Sequence, residues 1–273
     1  MSFKSMIRWH PLTVYFILAY GISWMGAIIL VAPKLLAGQS IPKTDGLLMF
    51  PLMLIGPSLS GIILTMVLKG GAGLRDLLKK MSKWKLPFGW YALALLLLPF
   101  LIFLTLLLLS NFVSKSFAPN FFPLGFLFGI PAAFFEEIGW TGFALPQLLS
   151  KTNNFRAGIT LGLLWGFWHL PVIDFLGAAT PHGAYLLPFF ISFILLLTAV
   201  RTWMTFIYIR TKSVLMMQII HAVSTGSLVI LGPAIVSPRQ ETLWYLLYAV
   251  MLWIIVLIVF KLTTNPNKDF ASI

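Results

Sequence analysis

The stretch from Trp90 to Asn111 reads WYALALLLLPFLIFLTLLLLSN and carries no charged side chain. Coiled as an α-helix at 1.5 Å per residue, a run of this length crosses the roughly 30 Å hydrocarbon core of a bilayer. Comparable apolar runs lie near 11–32, 47–68, 121–145, 157–177, 184–205, 213–232 and 242–261. They predict an all-α polytopic membrane protein with about eight transmembrane helices, forming one integral-membrane domain over 1–273. Pro123, Pro131 and Pro146 sit in or beside the 121–145 run, so that span is expected to be broken or partly re-entrant.

Composition supports the same class. The chain has 273 residues, 59% of them hydrophobic and only 10% charged, against about 25% charged in soluble domains. It has no cysteine, which removes disulfides, thiolate metal ligands and cysteine nucleophiles and leaves Ser, Thr, Asp, Glu and His for chemistry. The 24 Phe and 10 Trp suit lipid-facing surfaces and interfacial belts.

A net charge of +12 invites a nucleic-acid partner, but the positions of the basic residues favour an orientation signal. With the N-terminus in the cytoplasm, every Lys and Arg falls in a cytoplasmic segment except Lys34, Lys43, Lys115 and Arg239. The positive-inside rule therefore places both termini in the cytoplasm. The loop after Lys69 combines Arg75, Lys79, Lys80, Lys83 and Lys85 with Leu74, Leu77, Leu78, Met81 and Trp84. That pattern predicts a short amphipathic helix on anionic lipid head groups. Lys4 and Arg8 precede an apolar run too long for a signal peptide. The absence of an organelle-targeting tail points to a multi-pass protein of the cell membrane, on a bacterial plan, with no nucleic-acid partner.

Against this apolar background stands Phe134-Phe135-Glu136-Glu137-Ile138-Gly139-Trp140-Thr141-Gly142-Phe143. An ionised carboxylate costs roughly 2.5–3.5 kcal/mol in a bilayer even on the mildest insertion scale, so an adjacent pair must face protein or water. Of seven acidic residues only Glu136, Glu137 and Asp174 lie within spans, and of four histidines only His169 and His221.

Spacing gives several of these residues an address. Gly125, Gly129, Ala132, Glu136 and Gly139 share one helical stripe, so Glu136 faces protein while Glu137 points about 100° away. Gly158, Gly162 and Gly166 form a second small-residue stripe that lets a neighbouring helix approach. Trp165 and His169 stand at i and i+4 on that helix. His221 has Gln218, Ser224 and Thr225 as polar neighbours on its own helix. At 1.5 Å per residue His169 lies roughly 18 Å, and His221 roughly 12 Å, from the cytoplasmic ends of their spans, levels at which both can meet Glu136.

Carboxylates and imidazoles in a dry pocket allow a structural ion pair or one of two chemistries. Glu136, His169 and His221 could ligate a divalent metal, with Zn the natural candidate and the remaining carboxylate a general base. Without a metal, Glu136 and His169 could activate water directly while His221 and a neighbour stabilise the oxyanion. Both chemistries predict hydrolysis of an amide.

Glu136-Glu137 followed by Ile-Gly-Trp-Thr-Gly-Phe-Ala-Leu-Pro, then Trp165-x-x-x-His169-Leu-Pro, then His221 with Thr225 four residues on, resembles the three motifs of the CAAX-protease and bacteriocin-processing (CPBP) intramembrane proteases. CAAX prenyl endopeptidases belong to that family. The resemblance covers a core at about 121–232. It implies an intramembrane endopeptidase, a metalloendopeptidase or a metal-free enzyme, that cuts a membrane protein, lipidated protein or peptide near the cytoplasmic side.

By the same resemblance Glu136 and His169 activate water, Glu137 supports the first motif and His221 helps form the oxyanion hole. Two positions depart from the family pattern. Thr141 stands where the first motif usually has Arg, and Thr225 stands where the third usually has Asn. Arg201, inside a membrane helix, is the candidate cation for Glu137, with snorkelling to the interface as its alternative. The departures also support a second expectation, a non-catalytic bacteriocin-immunity or scaffolding membrane protein of the same fold.

Overall fold

The computed structural model describes residues 3–39, 41, 43–173, 182–234 and 236–263. Among them the protein is helical, with one isolated β-bridge between Pro119 and Pro233. A short α1 (Phe3–Trp9) leads into α2 (Pro11–Leu36), followed by α3 (Lys43–Met81) and α4 (Phe88–Phe112). Next come α5 (Phe126–Gly139), a π-helical turn (Trp140–Ala144), α6 (Leu145–Leu149) and α7 (Asn154–Trp168). The chain closes with α8 (Leu186–Thr211), α9 (Val214–Leu231) and α10 (Pro238–Thr263).

Six helices, α2, α3, α4, α8, α9 and α10, are long and apolar enough to cross a membrane, and the chain is a multi-pass membrane protein. The runs at 121–145 and 157–177 take a different form. The first divides into α5, the π turn and α6, while α7 has 15 residues, a rise of only about 22 Å. Pro171 explains where α7 stops, since it disfavours helical backbone at the preceding residue and cannot donate to the ladder. Asp174, counted above among the intramembrane acids, lies outside the described residues.

The amphipathic segment after Lys69 is helical and continues α3 across a joint at Gly70, whose φ of 60° and ψ of −157° break the helix path. A left-handed φ with extended ψ is accessible essentially to glycine alone.

Small residues set the spacing of the centre. A Cβ added at Gly129 of α5 would stand 2.8 Å from the Gly226 nitrogen of α9, and one at Gly158 of α7 would stand 2.8 Å from the Thr202 Cα of α8. One at Gly61 of α3 would meet the Gly139 Cα at 2.8 Å. Each gap is too small for a methyl group, so both stripes seen in the sequence bring backbones together as expected. Facing α7, the hydroxyls of Thr198 and Thr202 donate back to the carbonyls of Ile194 and Thr198, which satisfies them within α8. The result is a close-packed group of α3, α5, α7, α8 and α9 around the acidic pair.

A side chain forced into one of these contacts overpacks it. Gly158→Val is expected to destabilise the protein by about 1–3 kcal/mol, read as a lowered Tm in detergent. Gly71→Ala, where a Cβ meets nothing within 4 Å, is expected to leave Tm unchanged or raise it.

Candidate active site

Glu136 and Glu137 occupy the last turn of α5 and are 2% and 0% exposed, so both face protein. The 100° between them sends each to different partners. Glu137 looks toward α8 and α9, where Arg201 forks onto it, Nη1 to Oε2 at 2.7 Å and Nη2 to Oε1 at 2.9 Å. His221 Nδ1 donates to Oε1 at 2.8 Å, and the Thr141 hydroxyl donates to Oε2. Arg201 Nη1 also reaches the Thr141 hydroxyl at 3.4 Å. The candidate pairing of Arg201 with Glu137 is therefore formed, and the guanidinium is fully buried rather than snorkelling.

Glu136 is held differently. Its Oε2 accepts from two indoles, Trp165 Nε1 at 2.7 Å and Trp140 Nε1 at 3.2 Å. Its Oε1 has no hydrogen-bond partner among the described residues. One carboxylate is thus saturated by the Arg201 guanidinium, the His221 imidazole and the Thr141 hydroxyl, while the other keeps an oxygen free.

Trp165 ties the site together. Besides its indole bond to Glu136, it lies under the Arg201 guanidinium, 4.2 Å from ring centroid to Cζ, a cation–π distance. Edge-on contacts join it to His169 at 5.5 Å and His221 at 5.0 Å. Its backbone carries a further contact. At the end of α7 the His169 N–H bonds the Gly166 carbonyl, a tightened last turn, while the Trp165 carbonyl accepts from His169 Nδ1 at 2.8 Å. A carbonyl only accepts, so Nδ1 carries the proton and neutral His169 keeps its lone pair on Nε2. The same argument, with the Glu137 carboxylate as acceptor, places a proton on Nδ1 of His221.

The sequence-derived residues therefore gather, with two qualifications. Thr225 stands one turn beyond His221, half-buried, and makes no side-chain hydrogen bond among the described residues. As for a metal, no three His, Asp or Glu side chains among the described residues converge on a point where an ion could be held. Both oxygens of Glu137 are committed to Arg201, Thr141 and His221. The set Glu136, His169 and His221 does not form a metal-ligand cluster among the described residues.

Sequence reasoning missed Trp140, which reaches Glu136 from i+4; that spacing was visible in the quoted stretch. It also assigned His182 and Glu241 to loops. Both are buried, His182 stacked 3.8 Å from Phe189 and 3.3 Å from the Glu241 carboxylate.

A test of the Glu137 cage follows from its burial. Breaking a buried ion pair on one side costs about 3–5 kcal/mol because the remaining charge is left unpaired. Arg201→Met should lower stability by that order, and Glu137→Gln combined with Arg201→Met should recover much of it. Thermal melts of the two variants beside wild type check the pair; equal losses in both would mean that Arg201 contributes packing rather than charge.

The residues that build this site fall within 118–226, the segment that matches the family model described as "Type II CAAX prenyl endopeptidase Rce1-like". The chain is also similar to "CAAX prenyl protease 2" of Methanococcus maripaludis, 35% identical over 142 residues, an alignment covering 46% of this chain and 51% of that protein. It therefore spans about half the length of the curated relative it matches. Over residues 118–226, with the acidic pair, Trp165, His169, Arg201 and His221 inside the match, the chain is similar to the Rce1-like CAAX prenyl endopeptidases.

Proposed function

We propose that the protein is an intramembrane endopeptidase that hydrolyses a peptide bond of a membrane-associated, prenylated protein or peptide near the cytoplasmic face of a cell membrane. The observation that carries this reading is the double role of Trp165. Its indole N–H holds Glu136 and its carbonyl holds His169, so one residue fixes both groups of a water-activating pair.

Water sits against the free Oε1 of Glu136 and the lone pair of His169 Nε2. Glu136 takes a proton from the water as its oxygen attacks the scissile carbonyl carbon. The carbonyl π-electrons move to oxygen, and the oxyanion is met by donors from α9. His221 donates there only as an imidazolium, from Nε2, because its Nδ1–H is already given to Glu137. Collapse of the tetrahedral intermediate breaks the C–N bond, and the proton held by Glu136 passes to the leaving amine. Glu137 touches no reacting atom in this scheme; it holds His221 and is itself held by Arg201.

Non-catalytic immunity or scaffolding function drew support from Thr141 in place of Arg and Thr225 in place of Asn. Arg201 supplies from α8 the cation that Thr141 lacks, which supports the enzymatic reading, and Thr225 is left as the remaining departure. The substrate class rests on the family match and on the name of the archaeal relative.

With detergent-purified protein and a prenylated CAAX peptide, Glu136→Gln is expected to abolish cleavage. His169→Ala should lower kcat about 10²–10⁴-fold, the usual contribution of a positioned acid–base group, with both variants melting close to wild type. Cleavage should persist in the presence of metal chelators. Loss of activity with stoichiometric zinc in the wild type and none in His169→Ala would instead establish a metal mechanism. A wild-type protein that cuts no member of a prenylated and unprenylated peptide panel would return the reading to a scaffold.

A further inference from the structure

At the lysine-rich end of the bundle, two segments distant in sequence enclose an open groove of about 450 Å³. One wall is the end of α3 and the turn after it, with Lys79, Lys83, Trp84 and Lys85; the other is Lys212, between α8 and α9. The walls are joined by specific bonds. Lys83 Nζ donates to the Thr211 carbonyl at 2.8 Å, and Ser213 Oγ donates to the Lys83 carbonyl at 2.8 Å. The same Ser213 oxygen accepts from the Met216 N–H at 3.0 Å and so caps α9.

Charge in the groove is unbalanced. Asp76 is the one carboxylate on its lining, and Lys80 takes it at 2.7 Å. Among the described residues Lys79, Lys83, Lys85 and Lys212 have no carboxylate partner. Lys212 also holds a left-handed backbone, φ 49° and ψ 31°, where a residue with a side chain is strained. Glycine is the usual occupant of such a helix end.

Position identifies what could balance these ammonium groups. Trp84 is 63% exposed on the groove, and Phe88, 83% exposed, opens the uncharged α4. An exposed Trp beside the first residues of a membrane helix marks the depth of the lipid head groups. Ammonium groups bind phosphate as point charges.

We propose that this groove binds a phosphate group carried on an anionic membrane lipid, with Lys79, Lys83, Lys85 and Lys212 as its cationic ligands. The proposal is independent of what the acidic pair does. Lys212 accepts a strained backbone because its ammonium faces this ligand, and an occupied groove fixes the start of α9 at the membrane surface.

The test is native mass spectrometry of the full chain in detergent, titrated with phosphatidylglycerol, with phosphatidylcholine and with inorganic phosphate alone. Wild type should retain phosphatidylglycerol in preference to phosphatidylcholine. Each lysine removed should weaken that binding about fivefold. The informative variant is Lys212→Gly, which removes the ammonium and relieves the backbone: lipid binding should fall while Tm holds or rises, a combination that loss of fold cannot produce. Lys79→Gln should weaken binding similarly. Lys151→Gln with Arg156→Gln removes two exposed charges elsewhere and should change binding less than twofold. If that control loses as much lipid as the groove variants, attraction is diffuse and the site is overturned. If inorganic phosphate binds lipid-free protein and displaces phosphatidylglycerol at equal concentration, the lipid assignment is overturned in favour of a soluble phosphate.

Discussion

Neutralising Glu137 inside the bundle is the constraint on which the rest of the site depends. A fully buried carboxylate needs every lone pair answered, and here the answers come from three separate elements. Arg201 comes from α8, His221 from α9 and Thr141 from the π turn. Satisfying one charge therefore fixes the relative rotation of three helical segments. Such a pair contributes little net stability, since desolvation offsets much of its Coulomb energy. Its effect is to make misregistered packings of α8 and α9 expensive, because each would strand an ion.

Division of labour between the two carboxylates follows from helix geometry. Neighbours on a helix point about 100° apart, so Glu137 meets cations while Glu136 meets the edges of two tryptophans. Indole N–H groups orient a carboxylate without neutralising it. One oxygen of Glu136 is positioned by them and the other is left open. Two chemically identical side chains thus acquire different capacities from placement alone, a pattern shared by enzymes whose paired acids have distinct tasks.

The membrane class was legible from uninterrupted apolar runs such as 90–111, and the glycine stripes at 125/129 and 158/162/166 announced which helix faces meet. The site residues were legible because few polar side chains interrupt apolar helices. Less could be read where tertiary contacts decide the backbone. The π turn at Trp140–Ala144 packs against α3, and His182 is buried beside the Glu241 carboxylate of α10, both contacts between segments remote in sequence. Hydropathy averages over such irregularities and reads them as continuous spans. Trp140 went unrecognised because an aromatic in an apolar run looks like lipid-facing bulk; only its i+4 spacing from Glu136 sets it apart.

Arg201 has a consequence for how such chains diverge. The cation that holds Glu137 resides on α8 rather than four residues away on the same segment, where Thr141 supplies a hydroxyl instead. What Glu137 requires is a positive charge at a point in space, and in this chain position 201 delivers it. Ancestral chains passing between the two solutions would need both cations, or a brief loss of one, so positions 141 and 201 should covary across 60 residues of sequence. A search pattern that insists on arginine at the first address would discard relatives whose site is electrostatically intact.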